Sequence, residues 1–266
     1  MFSGYQHVYK PVQPSVNESC SDVVYTEFKP AAALRELIFC YWELKTKQPL
    51  SSDFQYRVAA DGCTDLFFEL DHPDEIYISG FTPAATVFNT GKNFHYFGIR
   101  FFPSAFTLFS GIPALSLSNR CEQLSDVYSQ LNEQLKLITN QSLTNLPDAV
   151  NNVFLKMTEN SKANPDYRFY NALDLILRSN GNLAVETELN TGVSGRQLRR
   201  MFLHHVGDTP KTFSKLVRFQ HLLRSCESLS TLRRSKLYFD SGYFDQAHFI
   251  REFKTFYGLT PTQAAE

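Results

Sequence analysis

From Val23 to Phe102 the chain is a series of short apolar and aromatic runs: VVYTEF, LIFCYWEL, FQYRVA, TDLFFEL, EIYIS, ATVF and HYFGIRFF. Turn-forming residues separate them, among them Lys47-Gln48-Pro49, Asp61-Gly62, Asp71-His72-Pro73-Asp74 and Asn89-Thr90-Gly91. Short strands at this spacing predict an antiparallel sandwich or barrel. After Pro103 the period becomes helical. Leu124, Tyr128, Leu131, Leu135 and Ile138 follow one another at spacings of four, three, four and three, which draws one apolar stripe along a helix over 122–139. That stripe can cover the β region or, since the spacing is also a heptad, form a two-helix dimer seam. Leu146 to Met157 reads as a further helix with Pro147 in its first turn. The polar stretch Thr158–Pro165 breaks the pattern, and everything beyond it reads as helix and short turn. The predicted class is α+β in two domains. Residues 1–160 form a β-barrel or sandwich followed by helices at 122–160, 161–165 form a linker, and 166–266 form an all-α domain.

The α domain repeats itself. Shifting it by 51 residues aligns Ser194 with Asp245, Leu198 with Phe249, Arg200 with Arg251, Phe202 with Phe253, Gly207 with Gly258, and Thr209-Pro210 with Thr260-Pro261. Self-similarity at a fixed offset marks one supersecondary unit used twice. In each unit a Gly (Gly192, Gly242) permits a tight turn, and Ser194 or Asp245 can cap the next helix. That helix keeps two core anchors four residues apart and ends near a second Gly. This is helix-turn-helix logic, with the units at about 183–205 and 232–256. On the faces away from the anchors lie Arg196, Arg199 and Arg200 beside Gln197, then Ala247, Ile250, Arg251 and Lys254 flanked by Gln246 and His248. Arg can pair bidentately with guanine and Gln with adenine, whereas Arg and Lys also hold phosphates without reading sequence. Between the units, Pro210 to Cys226 offers Phe213, Leu216, Val217, Leu222 and Leu223 for burial. Such a helical spacer would place two recognition helices in successive major grooves, about 34 Å apart.

Composition at first argues against a nucleic-acid partner. The 266 residues carry 26 Lys+Arg against 27 Asp+Glu, a net charge of -1, and duplex binding is driven largely by phosphate neutralisation. Divided at the linker, however, residues 1–164 carry a net -5 and residues 165–266 a net +4. The basic part coincides with the repeat. An apolar fraction of 43% and a mean hydropathy of -0.27 describe a globular chain with ample material for a core. No run approaches the about 20 apolar residues of a membrane span, and the N-terminus lacks the basic and apolar regions of a signal peptide. The five scattered cysteines, Cys20, Cys40, Cys63, Cys121 and Cys226, read as reduced thiols rather than as a disulfide framework or zinc site. The expected location is the cytoplasm, with no membrane partner.

The segments GVSGRQLRRMF (192–202), VGDTP (206–210), GYFDQAHFIREF (242–253) and YGLTP (257–261) together resemble the AraC/XylS family of bacterial transcriptional regulators. The resemblance covers about Asp166 to Glu266. It implies a homeodomain-like tandem helix-turn-helix domain that binds double-stranded DNA, often as an activator that contacts RNA polymerase. By resemblance the base-facing positions are Arg196, Arg199 and Arg200 in the first unit, and Ala247, His248 and Arg251 with Gln246 nearby in the second. Residues 37–125, through DGCTDLFFEL (61–70) and FGIRFFPSAF (97–106), look like a sensing domain of one branch of that family. This implies a cupin-like barrel that binds a small effector or mediates a homodimer. Glu188 and Tyr238 stand where the family usually has a small residue, and Arg234 where it has an apolar one. Those departures motivate an alternative, a protein–protein regulatory module with degenerate helix-turn-helix units.

Other chemistry finds little footing. His7, His72 and His95 are isolated from one another, His204-His205 reads as helix surface, and metals require clustered ligands. No nucleophile elbow or phosphate loop is present, so neither an enzyme nor a cofactor or metal is expected. Asp61 and Asp65 read as turn and rim residues, with an effector contact as the alternative. Tyr41, Trp42, Phe54, Tyr56, Phe67, Phe68, Tyr96 and Phe101 read mainly as aromatic core.

Overall fold

Every aromatic run in the first half pairs as a strand: β1 (Val23–Phe28), β2 (Ile38–Thr46), β3 (Phe54–Val58), β4 (Thr64–Glu69), β5 (His72–Ser79), β6 (Thr86–Gly91) and β7 (His95–Phe101). The computed structural model describes residues 5–13, 22–141, 145–159, 166–226, 228–229 and 237–265. A short eighth strand, β8 (Cys121–Gln123), completes a six-stranded antiparallel sheet of order β1-β2-β7-β4-β5-β8. Strands β3 and β6 pair separately as a two-stranded sheet.

The large sheet is apolar on both faces because its alternate residues serve two cores. Tyr41, Leu66, Phe68, Phe97, Ile99 and Phe101 join the main core on the helical side. Cys40, Trp42 and Leu44 join Tyr56 and Phe94 in a second core, against which Phe67 and Tyr96 also pack. Trp42 lies directly opposite Gly98 of β7. A Cβ at that glycine would fall inside the indole ring, so the close approach requires Gly98.

The described helices of the first half are α1 (Tyr5–Val8), α2 (Ala105–Ser110), α3 (Leu124–Val127), α4 (Ser129–Gln141) and α5 (Leu146–Glu159). The helix expected over 122–139 is therefore interrupted. It starts as β8, and the backbone leaves the helical region at Tyr128 (φ -148°, ψ 76°). The apolar stripe survives the break. Leu124, Leu131 and Leu135 are fully buried, and Tyr128 and Ile138 pack against the same core. With its stripe committed to the β region, this segment is not a free dimer seam.

Six helices follow among the described residues: α6 (Tyr167–Arg178), α7 (Gly195–His205), α8 (Pro210–Ser225), α9 (Leu237–Asp240), α10 (Gln246–Tyr257) and α11 (Pro261–Ala264). The spacer α8 buries Phe213, Leu216, Val217, Leu222 and Leu223, as its pattern requires. Pro210 occupies its first turn behind Thr209, whose hydroxyl accepts from the Thr212 N–H.

The two halves share one continuous core, in which Phe81, Leu117, Phe202, Phe213 and Phe256 all take part. Burying each such phenylalanine contributes about 1.5–3 kcal/mol relative to exposure. The polar seam is specific as well. The Gln220 side chain of α8 donates to Ala60 O (2.7 Å) and accepts from Val12 N (2.7 Å). The Ala60 N–H donates to Phe256 O and the Ala85 N–H to Thr255 O, both at 2.9 Å. The expected linker at 161–165 lies outside the described residues.

Candidate nucleic-acid interface

Both expected recognition helices form, and both start as the sequence requires. Ser194 Oγ accepts from Gln197 N at 3.3 Å, and the Asp245 carboxylate accepts from His248 N at 2.6 Å. Each cap satisfies one of the free N–H groups at the helix start. The anchors Leu198, Phe202, Phe249 and Phe253 are buried, which fixes the opposite faces outward.

On those faces Arg196, Arg199, Arg200, Gln246, Ala247, Arg251 and Lys254 are exposed, and Gln197 is half-buried. Among the described residues none of the five cations forms an intramolecular ion pair. Their charges are therefore available to an outside partner. His248 is different: its Nε2 sits 3.1 Å from Glu252 Oε1 and its side chain is 29% exposed.

Glu252 is the functional residue that sequence reasoning missed. It lies one turn after His248 on α10, on the inner side, and its carboxylate gathers Lys215 Nζ at 2.9 Å and Arg218 Nη2 at 2.7 Å from the spacer. Burial opposes its ionisation, but the hydrogen bonds from Lys215 and Arg218 outweigh burial and hold its pKa below the usual carboxylate range. Arg218 also lies over the Tyr243 ring at 4.5 Å and donates to Gly242 O. The turn of the second unit is thereby tied to α8. Gly242 itself needs a positive φ of 78°, and a Cβ there would collide with the Asn182 amide of the first unit. Phe244, 87% exposed just before the α10 cap, was likewise overlooked. An exposed Phe next to free Arg and Lys was the available signal.

The leading element of the first unit departs from expectation. In the first unit, residues 185–188 make a single turn rather than a helix. The Thr187 and Glu188 N–H groups both donate to Ala184 O, and the Glu188 carboxylate folds back to accept from Ala184 N at 2.5 Å. A side chain that caps its own turn in this way competes with helix extension. In the second unit the described leading residues form α9, and 230–236, including Arg234, lie outside the described residues. Tyr238 is not an intruder there. It is buried and stacks on the anchor Phe249 at 5.0 Å and 3°.

His205 also departs from expectation. It is half-buried, stacked on Phe169 at 4.4 Å, and burial together with neighbouring His204 lowers its pKa to about 4. Among the described residues no cluster of His, Cys, Asp or Glu could hold a metal ion, and Cys40, Cys63, Cys121 and Cys226 are unpaired. Cys20 lies outside the described residues. No helix among them is long and apolar enough to cross a membrane.

In the N-terminal half, the two sheets flank a half-open cavity of about 150 Å³. Of the eight aromatic residues singled out from the sequence, Trp42, Tyr56, Phe67 and Tyr96 line it, joined by Phe88. Tyr41, Phe68 and Phe101 face the main core instead. Asp61 and Asp65 are not rim residues. Both are partners of the buried Arg100, whose Nε lies 3.5 Å from Asp61 Oδ2 and 3.1 Å from Asp65 Oδ1. Trp42 Nε1 donates to the same Asp65 oxygen at 2.8 Å.

Comparison with known proteins agrees with this architecture. A family model described as a helix-turn-helix domain matches residues 190–266, and one described as a domain of unknown function (DUF6597) matches residues 26–123. No curated protein sequence matches the chain. Among solved structures, a single-residue variant of apo ToxT from Vibrio cholerae is similar at 10% identity and a TM-score of 0.37, covering 94% of this chain and 100% of its own. Two capped helices with unpaired cations outward thus sit within the matched segment: residues 190–266 are a helix-turn-helix domain, preceded by a β-sheet domain that matches DUF6597.

Proposed function

We propose that both units read one DNA site, with α7 and α10 in successive major grooves. Arg196, Arg199 and Arg200, with Gln197, serve the first half of that site. Gln246, Ala247, Arg251 and Lys254 serve the second, with Phe244 and Ile250 available to thymine methyl groups. His248 acts mainly through Glu252, orienting α10. The observation that carries this reading is the pair of Ser194- and Asp245-capped helices whose outward cations have no partner within the described residues. The shared core and Gln220 seam support a fixed spacing between the helices. Control would enter through the N-terminal domain, by a small effector in the cavity or by a homodimer, in a cytoplasmic protein that works without catalysis of its own.

The single-turn leading element of the first unit favours a second reading for that unit, in which it clamps phosphates while α10 reads bases. Selection of bound duplexes from a random pool by the full chain tests both. Two conserved half-sites about 10 base pairs apart fit the leading reading, and one half-site with a flanking footprint fits the second. In either case log K for the selected duplex should fall as log salt rises, and absence of any specific duplex would leave only the alternative of a protein–protein module.

A further inference from the structure

We infer that the cavity between the two sheets is a binding site for a small organic cation, an amine carried on a single ring or a comparably compact apolar body. This deepens, and rests on, the reading of the N-terminal domain as an effector-controlled regulatory domain.

The size comes from the cavity volume of about 150 Å³, room for a molecule of roughly one six-membered ring. The chemistry comes from the lining. Trp42, Tyr56, Phe67, Phe88 and Tyr96 supply five aromatic rings around the space. Aromatic walls with a carboxylate among them are the chemistry that recognises ammonium groups. Asp65 is that carboxylate: it lines the cavity and keeps 15% of its side chain accessible, although it is deep within the fold.

The charge count points the same way. Asp61 and Asp65 face one guanidinium, that of Arg100; Asp61 and Arg100 are buried and Asp65 is mostly so. One positive charge is missing from this cluster. Uncompensated charge is costly in a low-dielectric interior, and burial accordingly pushes the Asp65 pKa upward against the pull of Arg100. A ligand ammonium beside Asp65 supplies the missing charge, whereas a ligand carboxylate would make the imbalance worse. Arg100 Nη1 is buried without a hydrogen-bond partner, which a neutral alcohol or carbonyl could satisfy. The charge surplus is what decides for the cation.

The site is wired to the DNA-binding half. Tyr56 and Val58 of β3 and Phe88 to Thr90 of β6 close the cavity on one side. The same two-stranded sheet runs on into Ala60 and Ala85, whose N–H groups hold the Phe256 and Thr255 carbonyls in the last turn of α10. A ligand that shifts β3 and β6 therefore shifts the second recognition helix, and by linkage DNA alters ligand affinity in return.

Trp42 is the only tryptophan in the chain, so its fluorescence reports the site without a label. The full chain is titrated with benzylammonium, benzyl alcohol and benzoate. Saturable change with benzylammonium is expected, about tenfold tighter than with benzyl alcohol, and none with benzoate. Asp65→Asn should bring benzylammonium to the level of the alcohol. Should that variant not fold, Phe88→Leu keeps the test open, weakening the amine several-fold more than the alcohol. Equal or tighter binding of alcohol or benzoate, or no saturable response to the amine, overturns the inference. A chain that selects a specific duplex yet ignores the amine loses only this inference; one that binds the amine but no duplex loses the regulator reading instead.

Discussion

The two helix-turn-helix units share a repeat but are held in different ways. The first unit presents three free arginines on α7, and its leading element is one turn capped by its own Glu188. The second presents fewer cations and more apolar surface, with Phe244, Ala247 and Ile250 exposed beside Arg251 and Lys254. It is also anchored by a different set of contacts. Glu252 ties α10 to the spacer, Tyr238 stacks on Phe249, and the carbonyls of Thr255 and Phe256 accept from the β domain. The difference teaches that the two units divide their chemistry: the first is the more highly charged, and the second is tied by polar contacts to the spacer and to the β domain.

The largest expected break in that contrast is Glu252→Ala. It leaves Lys215, Arg218 and His248 without their shared partner and should cost about 3 kcal/mol, at the low end for a buried pair because Lys215 is 41% exposed. Chemical denaturation measures the loss, and the second half-site should disappear from the footprint before the first. The same carboxylate makes a pH prediction. Its folded pKa is lowered, so its contribution is present above the ordinary glutamate range and lost as pH falls through that range towards the folded value. Acid should therefore release the second unit first, unless the charge network contributes nothing.

Next comes base reading. Arg200→Ala should weaken binding to the selected duplex by about 1–3 kcal/mol and relax preference at one base pair. An equal loss on every sequence would show a phosphate contact. Arg251→Ala makes the same comparison for α10, and band-shift titration on matched and mismatched duplexes reads both. Smaller again are the caps. Ser194→Ala and Asp245→Ala should each cost about 1 kcal/mol, and thermal unfolding should show Asp245 to matter more if α10 is the more constrained helix. The smallest effect is a slope. His205 is neutral when folded, with a pKa of about 4, and its stabilising contribution is complete above the unfolded value near 6.5. Stability should fall with pH through that interval, and His205→Phe should flatten the dependence.

Much of this was legible in the sequence because the residues involved obey local rules. The seven strands follow from short β-branched and aromatic runs between turns, and Ser194 and Asp245 announce their helices by position alone. What the sequence hid depends on contacts between distant segments. Asp61 and Asp65 look like turn and rim residues until Arg100, far along the chain, is placed between them. Alternation could not assign Trp42 and Tyr41 to different cores because both faces of the sheet are apolar. Glu252 resembles any solvated helix residue until α8 folds against it. Glu188 is the converse case, in which an unexpected residue did mark a place where the helix gives way to a turn.

The central claim is that both units engage one DNA site while held on a common core. Hydroxyl-radical footprinting of the full chain on its selected duplex tests it most directly. Two protected segments about one helical turn apart, with Arg200→Ala weakening one and Arg251→Ala the other, are the predicted result. A single protected segment that either substitution abolishes, or uniform protection without boundaries, would contradict it.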